Sequence, residues 1–183
     1  MEMGVTNPGL LTEQTIHGTP LPAGVDLVAT EPELTQGEFA AADGFVHFLA
    51  PPPRLPLDLA GRTGAVIFLG IGCASCHVPA LVTGPSRVSA LSLKIFQPYT
   101  DLLLHDMGPA LADICLGDAR PSEFRTEPLM GLRFATALLH DGRAANIGQA
   151  IRLHGGEATR ARDRFLRLSL SERFALLSFL RSL

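Results

Sequence analysis

Cys73-Ala74-Ser75-Cys76-His77 is the most informative segment of the sequence. The pattern C-x-x-C-H is the attachment signature of a c-type haem. Two thiols one helical turn apart can each form a thioether with a vinyl group of one porphyrin, and the adjacent imidazole is then brought under the iron as its fifth ligand. The motif therefore predicts one covalent haem c, held by Cys73 and Cys76 and ligated by His77.

Two other uses of a C-x-x-C pair fit the sequence less well. A structural zinc site needs a second pair of ligands at suitable spacing, and Cys115 is the only other thiol. A thioredoxin-like redox pair requires a β-α-β setting, which this glycine- and proline-rich chain does not show. We expect Cys115 to be an unpaired, buried, small apolar residue.

The composition is that of a folded protein with an ordinary surface. Of the 183 residues, 46% are hydrophobic and 18% are charged, and the formal net charge is −3. There is no basic excess of the kind that binds nucleic acid, and no apolar run approaches the length that crosses a bilayer. The arginine-rich segment 152–167 also contains acidic residues, and we interpret it as a solvated helix face or, alternatively, a docking patch for a redox partner.

The N-terminus and the haem motif point to different cell compartments. The first residues lack the basic start and apolar centre of a secretory signal. Covalent haem attachment normally takes place outside the cytoplasm, so we expect a periplasmic protein. The simplest explanation of the missing signal is that the chain is a fragment, or the mature part, of something longer.

Prolines and helix caps predict the domain organisation. Pro51-Pro52-Pro53 forms a stiff linker, so we predict an N-terminal extension with one helix over residues 1–53 and a haem domain over residues 54–183. The extension is expected to be irregular up to about residue 37, with a helix over 36–50 whose apolar stripe includes Phe39 and Phe45.

Four further helices are predicted in the haem domain. The first begins at the N-cap Asp58 and ends at Gly72, the others cover 146–154 and 157–168, and the last begins at the Ser169–Glu172 capping box. In the last helix, Phe174, Leu177 and Leu180 are expected on the inner side, close to the helix that contains Phe68. Gly61, Gly64 and Gly70 are costly inside a helix and indicate close approach of another helix or of the haem.

The predicted fold class is mainly α, with cytochrome c-like helices wrapped around one covalent haem. The segments 78–99 and 114–136 are interpreted as loops. A carbonyl within 79–85 is expected to accept the Nδ1 proton of His77.

Five motifs in order carry a family resemblance: Cys-Ala-Ser-Cys-His-Val-Pro-Ala-Leu, Tyr-Thr-Asp-Leu-Leu-Leu-His-Asp-Met-Gly, Phe-Arg-Thr-Glu-Pro-Leu, His-Asp-Gly-Arg and His-Gly-Gly-Glu-Ala. Over residues 38–183 the chain resembles the C-terminal cytochrome c domain of the bacterial di-haem oxidoreductases, also described as thiol oxidoreductases and distantly similar to di-haem cytochrome c peroxidases. Met130 departs from the Trp that is more frequent there. The family has two C-x-x-C-H motifs and this chain has one, so either a first haem domain lies outside this sequence or the chain is a mono-haem derivative.

The resemblance also implies a sixth iron ligand. In the related peroxidases the His-Asp-Gly motif precedes a helix whose end supplies an axial Met, and counting from His140 places His154 at that position. Ligation by His77 and His154 would give a lower potential than His/Met ligation. Met107 is the alternative sixth ligand, an open site is a third possibility, and a purely structural role of His154 at a helix end also stays open.

Other polar residues are candidates for the pocket. Arg125 and Arg143 are expected to neutralise haem propionates, although Arg125 is equally suited to holding a loop. His140 and His105 are candidate catalytic residues for proton handling, or else pack on the porphyrin edge.

The favoured function is that of a c-type cytochrome domain that transfers electrons to or from a redox partner protein or a second haem domain. The alternatives are a peroxidase-like haem enzyme with an open sixth site and a haem-stabilised binding module.

Overall fold

The computed structural model describes residues 5–13, 19–22, 31–114 and 119–183. The chain divides into two compact units, one of residues 1–50 with 114–121 and one of residues 51–113 with 122–183. Cys115 lies outside the described residues, so its expected burial stays a prediction, as does the division into residues 1–53 and 54–183.

The described residues form five α-helices, three short 3₁₀ helices and two two-stranded sheets. The α-helices are α1 (Gln36–His47), α2 (Leu59–Ile71), α3 (Ile147–Leu153), α4 (Thr159–Arg167) and α5 (Leu170–Leu180). The 3₁₀ helices cover Cys73–Ser75, Leu132–Phe134 and Gly156–Ala158. The antiparallel pairs are β1 (Leu81–Val82) with β2 (Ile95–Phe96), and β3 (Leu104–Asp106) with β4 (Glu123–Arg125).

The two sheets correct the predicted mainly α fold class, because the fold combines helices with small antiparallel sheets. Both sheets draw on the segments 78–99 and 114–136 that were interpreted as loops. Strands of two or three residues are too short to show the alternation by which a strand is recognised in sequence. The predicted wrap of helices around a haem stays a prediction.

Helices α2 and α5 pack together and form the main core of the larger unit. Phe68 of α2 and Phe179 of α5 meet edge to face with ring centres 5.4 Å apart, and Tyr99 packs 5.9 Å from both rings. Such aromatic pairs add to the free energy of burial because ring edges meet ring faces. The predicted proximity of the last helix to the one that contains Phe68 is confirmed.

Helix α2 is capped at both ends and stops directly before the C-x-x-C-H motif. Asp58 Oδ1 accepts the Gly61 N–H at 2.7 Å, as predicted for an N-cap. Gly72 ends the helix with φ at 99°, a left-handed conformation that glycine adopts at little cost. The 3₁₀ helix Cys73–Ser75 therefore begins directly after α2 and next to the aromatic core.

The prediction of which residues of α5 are buried is partly wrong. The capping box of Ser169 with Glu172 is confirmed, and Leu180 is buried. Phe174, however, is 63% exposed, while Leu176 is fully buried. Because apolar residues occur on several sides of α5, the spacing alone does not single out the buried face.

Gly64 allows α2 and α5 to approach closely. A Cβ built on Gly64 would overlap the carbonyl oxygen of Ala175 and lie 2.8 Å from Cβ of Phe179. Within the described residues no other helix approaches Gly70, since a Cβ there would have no neighbour within 4 Å, and the alternative of a close approach by the haem stays a prediction. A Cβ on Gly61 would meet Cδ2 of Leu57 at 3.0 Å, just before the start of the same helix.

Helix α1 belongs to the smaller unit and contains no buried residue. It begins at a capping box of Thr35 with Glu38 that the sequence analysis did not identify. The expected apolar stripe is exposed, with Phe45 at 67%. Among the described residues, no helix combines the length and the apolar character needed to cross a bilayer.

Substitution of Gly64 by Ala tests the packing of α2 on α5. We expect Gly64→Ala to lower the free energy of unfolding by about 1–3 kcal/mol, because the added methyl forces the helices apart. Gly70→Ala makes the same chemical change on an open side of α2 and should be neutral or stabilising by up to about 1 kcal/mol. Denaturant unfolding followed by circular dichroism measures both, and equal effects would contradict the packing.

Candidate functional site

The C-x-x-C-H motif forms a single tight turn. The His77 N–H donates to the Cys73 carbonyl at 3.0 Å, and the Ser75 hydroxyl donates to the Gly72 carbonyl at 2.6 Å. Cys73 and Ala74 pack against the buried core, and Cys76 is half-buried. The turn therefore holds the two cysteines and the histidine close together, with Cys73 against the apolar core.

Burial keeps both thiols protonated at neutral pH. It raises the pKa of the Cys73 thiol to about 11, with a smaller contribution from nearby Cys76. The pKa of Cys76 is also raised, first by burial and then by the carboxylates of Asp101 and Glu157. Neither cysteine therefore has the lowered pKa of a reactive or metal-binding thiolate.

The His77 ring is oriented by a backbone carbonyl. Its Nδ1 lies 3.0 Å from the Tyr99 carbonyl oxygen, which can only accept, so Nδ1 carries the proton and the Nε2 lone pair stays free. Burial lowers the pKa of His77 to about 4, and the ring is neutral at neutral pH. The expected acceptor within 79–85 is wrong. Tyr99 has a φ of 55°, which is uncommon for a bulky residue, and no signal in the sequence indicates this conformation.

His154 has the same tautomer as His77, for the same reason. It caps the C-terminus of α3, and its Nδ1 donates to the Ala150 carbonyl at 2.7 Å. Burial lowers the pKa of His154, so this ring is also neutral with a free Nε2 lone pair. The cap at the other end of α3 is confirmed, because Asn146 Oδ1 accepts the Gln149 N–H at 2.9 Å.

His77 and His154 lie close together, with ring centres 6.5 Å apart and ring planes inclined by 43°. Metal–imidazole bonds are about 2 Å long and the ring centre lies about 1 Å behind the nitrogen, so trans ligands have ring centres about 6 Å apart. Neither Nε2 forms a hydrogen bond within the described part of the chain. The separation, the tautomers and the free lone pairs all fit two axial ligands of one haem.

His105, on β3, lies between two carboxylates. Its Nε2 donates to Asp101 and its Nδ1 donates to Glu157, both at 2.8 Å. Because both carboxylates accept, the ring carries a proton on each nitrogen and is an imidazolium. The hydrogen bond to Glu157, and then that to Asp101, raise the pKa of His105 above its usual range.

A cluster of possible metal ligands includes His105. Cys76 Sγ, an Asp101 carboxylate oxygen and a ring nitrogen of His105 all lie within 4.8 Å of one another. A metal ion there would need a thiolate and a neutral imidazole, whereas the Cys76 pKa is raised and both His105 nitrogens are bonded to carboxylates. The cluster fits a neutral sulfur beside a charged histidine better than a metal site.

His140 packs on β4. Its ring stacks on Phe124 with centres 4.3 Å apart, and its Nε2 lies 3.2 Å from Asp113. Phe124 is the cross-strand partner of His105. A catalytic role of His140 or His105 stays a prediction.

The two candidate arginines differ in their contacts. Arg143 forms an ion pair with Asp141 and donates to the Ala110 carbonyl at 2.7 Å, which closes the His-Asp-Gly-Arg turn. Arg125 is exposed on β4. Neither arrangement tests the propionate role, which stays a prediction for both.

Met107 and His154 come from backbone segments that touch. Met107 follows β3 and is half-buried, and its N–H donates to the Ser122 carbonyl at 2.8 Å. A Cβ built on Gly155, the residue after His154, would lie 2.6 Å from the Met107 carbonyl oxygen. Met107 therefore stays the alternative sixth ligand.

The raised pKa of His105 gives a pH-dependent test. A raised pKa means that the ion pairs stabilise the fold below the ordinary value of about 6.5 and that this stability is lost as pH rises through the folded pKa. Glu157→Gln removes one negative charge, so the His105 midpoint should fall toward the ordinary value. Nuclear magnetic resonance titration of the holoprotein with the iron reduced measures the His105 midpoint in the wild type and in the variant. An unchanged midpoint in Glu157→Gln would contradict the ion pair.

Comparison with known proteins identifies the family. The family model described as "Di-haem oxidoreductase, putative peroxidase" matches residues 1–183, a longer stretch than the 38–183 covered by the motifs. No curated protein matches the chain.

Among solved structures, the hydrazine synthase of Kuenenia stuttgartiensis, pressurised with 20 bar xenon, is similar in fold, with a TM-score of 0.58 at 16% sequence identity. The similarity covers 86% of this chain and 58% of that one, so the chain spans a little over half the length of that structure. The family match confirms the membership predicted from the motifs, while the narrower assignment to a C-terminal cytochrome c domain stays a prediction. The chain belongs to the di-haem oxidoreductase family.

Proposed function

We propose that the chain is a c-type cytochrome domain that carries one covalent haem and transfers electrons. In this proposal Cys73 and Cys76 hold the porphyrin, and His77 and His154 are the axial ligands. The observation that carries the proposal is the separation of 6.5 Å between two neutral imidazoles whose Nδ1 protons are both bonded to backbone carbonyls.

A bound haem c supplies a one-electron Fe(III)/Fe(II) couple. The residues of the chain hold that group in one geometry. The Tyr99 and Ala150 carbonyls keep the two rings in the ligating tautomer and increase the basicity of each Nε2. Because both rings are held by backbone atoms, His77 and His154 would hold the haem iron with fixed ring orientations. Ligation by two imidazoles should also give a lower potential than His/Met ligation.

The second haem and the partner follow from the family. The family is described as di-haem, and the sequence contains one C-x-x-C-H motif. We place the other haem outside these 183 residues, in a further domain or in a redox partner protein, with this chain as the electron-transferring C-terminal cytochrome unit. Because covalent haem attachment normally takes place outside the cytoplasm, we also propose that the protein is periplasmic.

A peroxidase-like enzyme is the second candidate, because the family description names a peroxidase. Such an enzyme needs an open sixth position on the iron, and His154 would have to lie away from it. The short distance between the His77 and His154 rings favours electron transfer over this alternative.

Visible spectra of the protein expressed in a periplasm with haem-attachment machinery test the proposal. We expect a covalently bound haem in a low-spin, six-coordinate state. His154→Ala should convert the iron to high spin, and added imidazole should restore the low-spin spectrum because it replaces the missing ring. His47→Ala, on exposed α1, is the matched control and should leave the spectrum unchanged.

Three results would contradict the proposal. Absence of covalent haem from the wild-type protein would remove its basis. A loss of the low-spin state in Met107→Ala but not in His154→Ala would make Met107 the ligand. A high-spin wild-type spectrum that shifts on addition of cyanide, with turnover of peroxide, would favour the peroxidase.

A further inference from the structure

The turn that follows His154 rests directly on the end of β3. A Cβ on Gly156 would overlap the Asp106 carbonyl oxygen and lie 2.7 Å from the Gly108 nitrogen. Gly156 also has a φ of 50°, in the left-handed region that favours glycine. Two backbone segments therefore touch here because neither Gly155 nor Gly156 has a side chain.

Both carboxylate oxygens of Glu157 form hydrogen bonds across the contact between the turn after His154 and β3. Oε1 accepts the Asp106 N–H at 3.0 Å, and Oε2 accepts from His105 Nδ1 at 2.8 Å. The His105 ring is held from its other side by Asp101. These are charge-assisted hydrogen bonds, which are shorter and stronger than neutral ones.

The strand that Glu157 binds belongs to the segment that also orients His77. This segment, residues 99–108, begins with Tyr99, whose carbonyl accepts the His77 Nδ1 proton. Near its other end it receives Glu157, three residues after His154. Residues 99–108 therefore form a hydrogen bond with His77 at one end and with Glu157, three residues after His154, near the other end.

We propose that Glu157 positions His154 as the sixth ligand, by tying the turn after His154 to residues 99–108 through Asp106 and His105. The inference rests on the proposed function, in which His154 binds the iron. In this role Glu157 does not contact the haem. It acts through the backbone that carries His154.

The exposure of Glu157 and the difference between Gln and Ala at this position distinguish a positioning role from general structural support. Its side chain is 55% exposed, so removal leaves no buried cavity and should not unfold the protein. Glu157→Gln keeps an oxygen that can accept the Asp106 N–H, whereas Glu157→Ala loses both bonds. A positioning role thus predicts that Gln restores most of what Ala loses.

The test compares holoprotein variants by spin state and by the rate of cyanide binding to oxidised iron. Loss of a residue that orients a metal ligand typically weakens the metal–ligand bond about 10–100-fold, so Glu157→Ala should show a high-spin fraction and cyanide binding faster by about that factor. The high-spin fraction and the cyanide-binding rate of Glu157→Gln should be close to those of the wild type. His105→Ala removes one of the two bonds, so both quantities should rise, but by less than in Glu157→Ala. Glu127→Ala is the matched control, because Glu127 is exposed and forms no hydrogen bond within the described residues.

The outcomes distinguish the inference from the function on which it rests. If His154→Ala becomes high spin while Glu157→Ala keeps the wild-type spectrum and cyanide rate, the positioning role is wrong and the proposed function stands. If Glu157→Gln is as impaired as Glu157→Ala while His105→Ala keeps the wild-type spectrum and cyanide rate, neither bond of Glu157 positions His154, and the inference fails. If His154→Ala stays low spin, the proposed ligand is wrong and the inference falls with it.

Discussion

The hydrogen bonds from His77 to the Tyr99 carbonyl and from His154 to the Ala150 carbonyl are the constraint on which the site depends. A carbonyl oxygen accepts but cannot donate, so each bond fixes the proton on Nδ1 and leaves a lone pair on Nε2. Burial lowers the pKa of both rings and keeps them neutral. Two neutral imidazoles at 6.5 Å are ready to ligate one iron without any change of protonation.

The aromatic core of the larger unit supports the His77 ring. Helices α2 and α5 approach closely at Gly64, and the ring of Tyr99 packs against the Phe68–Phe179 pair that they form. The same residue that completes the aromatic core therefore supplies the carbonyl that orients His77. Disturbing the helix pair is thus expected to disturb the orientation of the His77 ring, because the core and the candidate site share Tyr99.

Local signals in the sequence predicted the parts of the site that depend on neighbouring residues. The caps Asp58, Asn146 and Ser169 were predicted correctly, because a cap is a short-range hydrogen bond. The Tyr99 carbonyl lies 22 residues from His77, and Glu157 lies 52 residues from His105. Contacts of that range depend on the tertiary fold and leave no periodic pattern. The short strands and the exposure of Phe174 were missed because two or three residues, or a helix apolar on several sides, give no decisive period.

Pulsed electron paramagnetic resonance of the oxidised holoprotein, with isotopically labelled histidine nitrogens, counts the imidazoles bound to the iron. If His77 and His154 are both ligands, the spectrum shows strong coupling to two histidine nitrogens, one of which disappears in His154→Ala while the other remains. Coupling to a single histidine nitrogen in the wild type would show that His154 does not bind the iron, and that the approach of its ring to His77 serves packing alone.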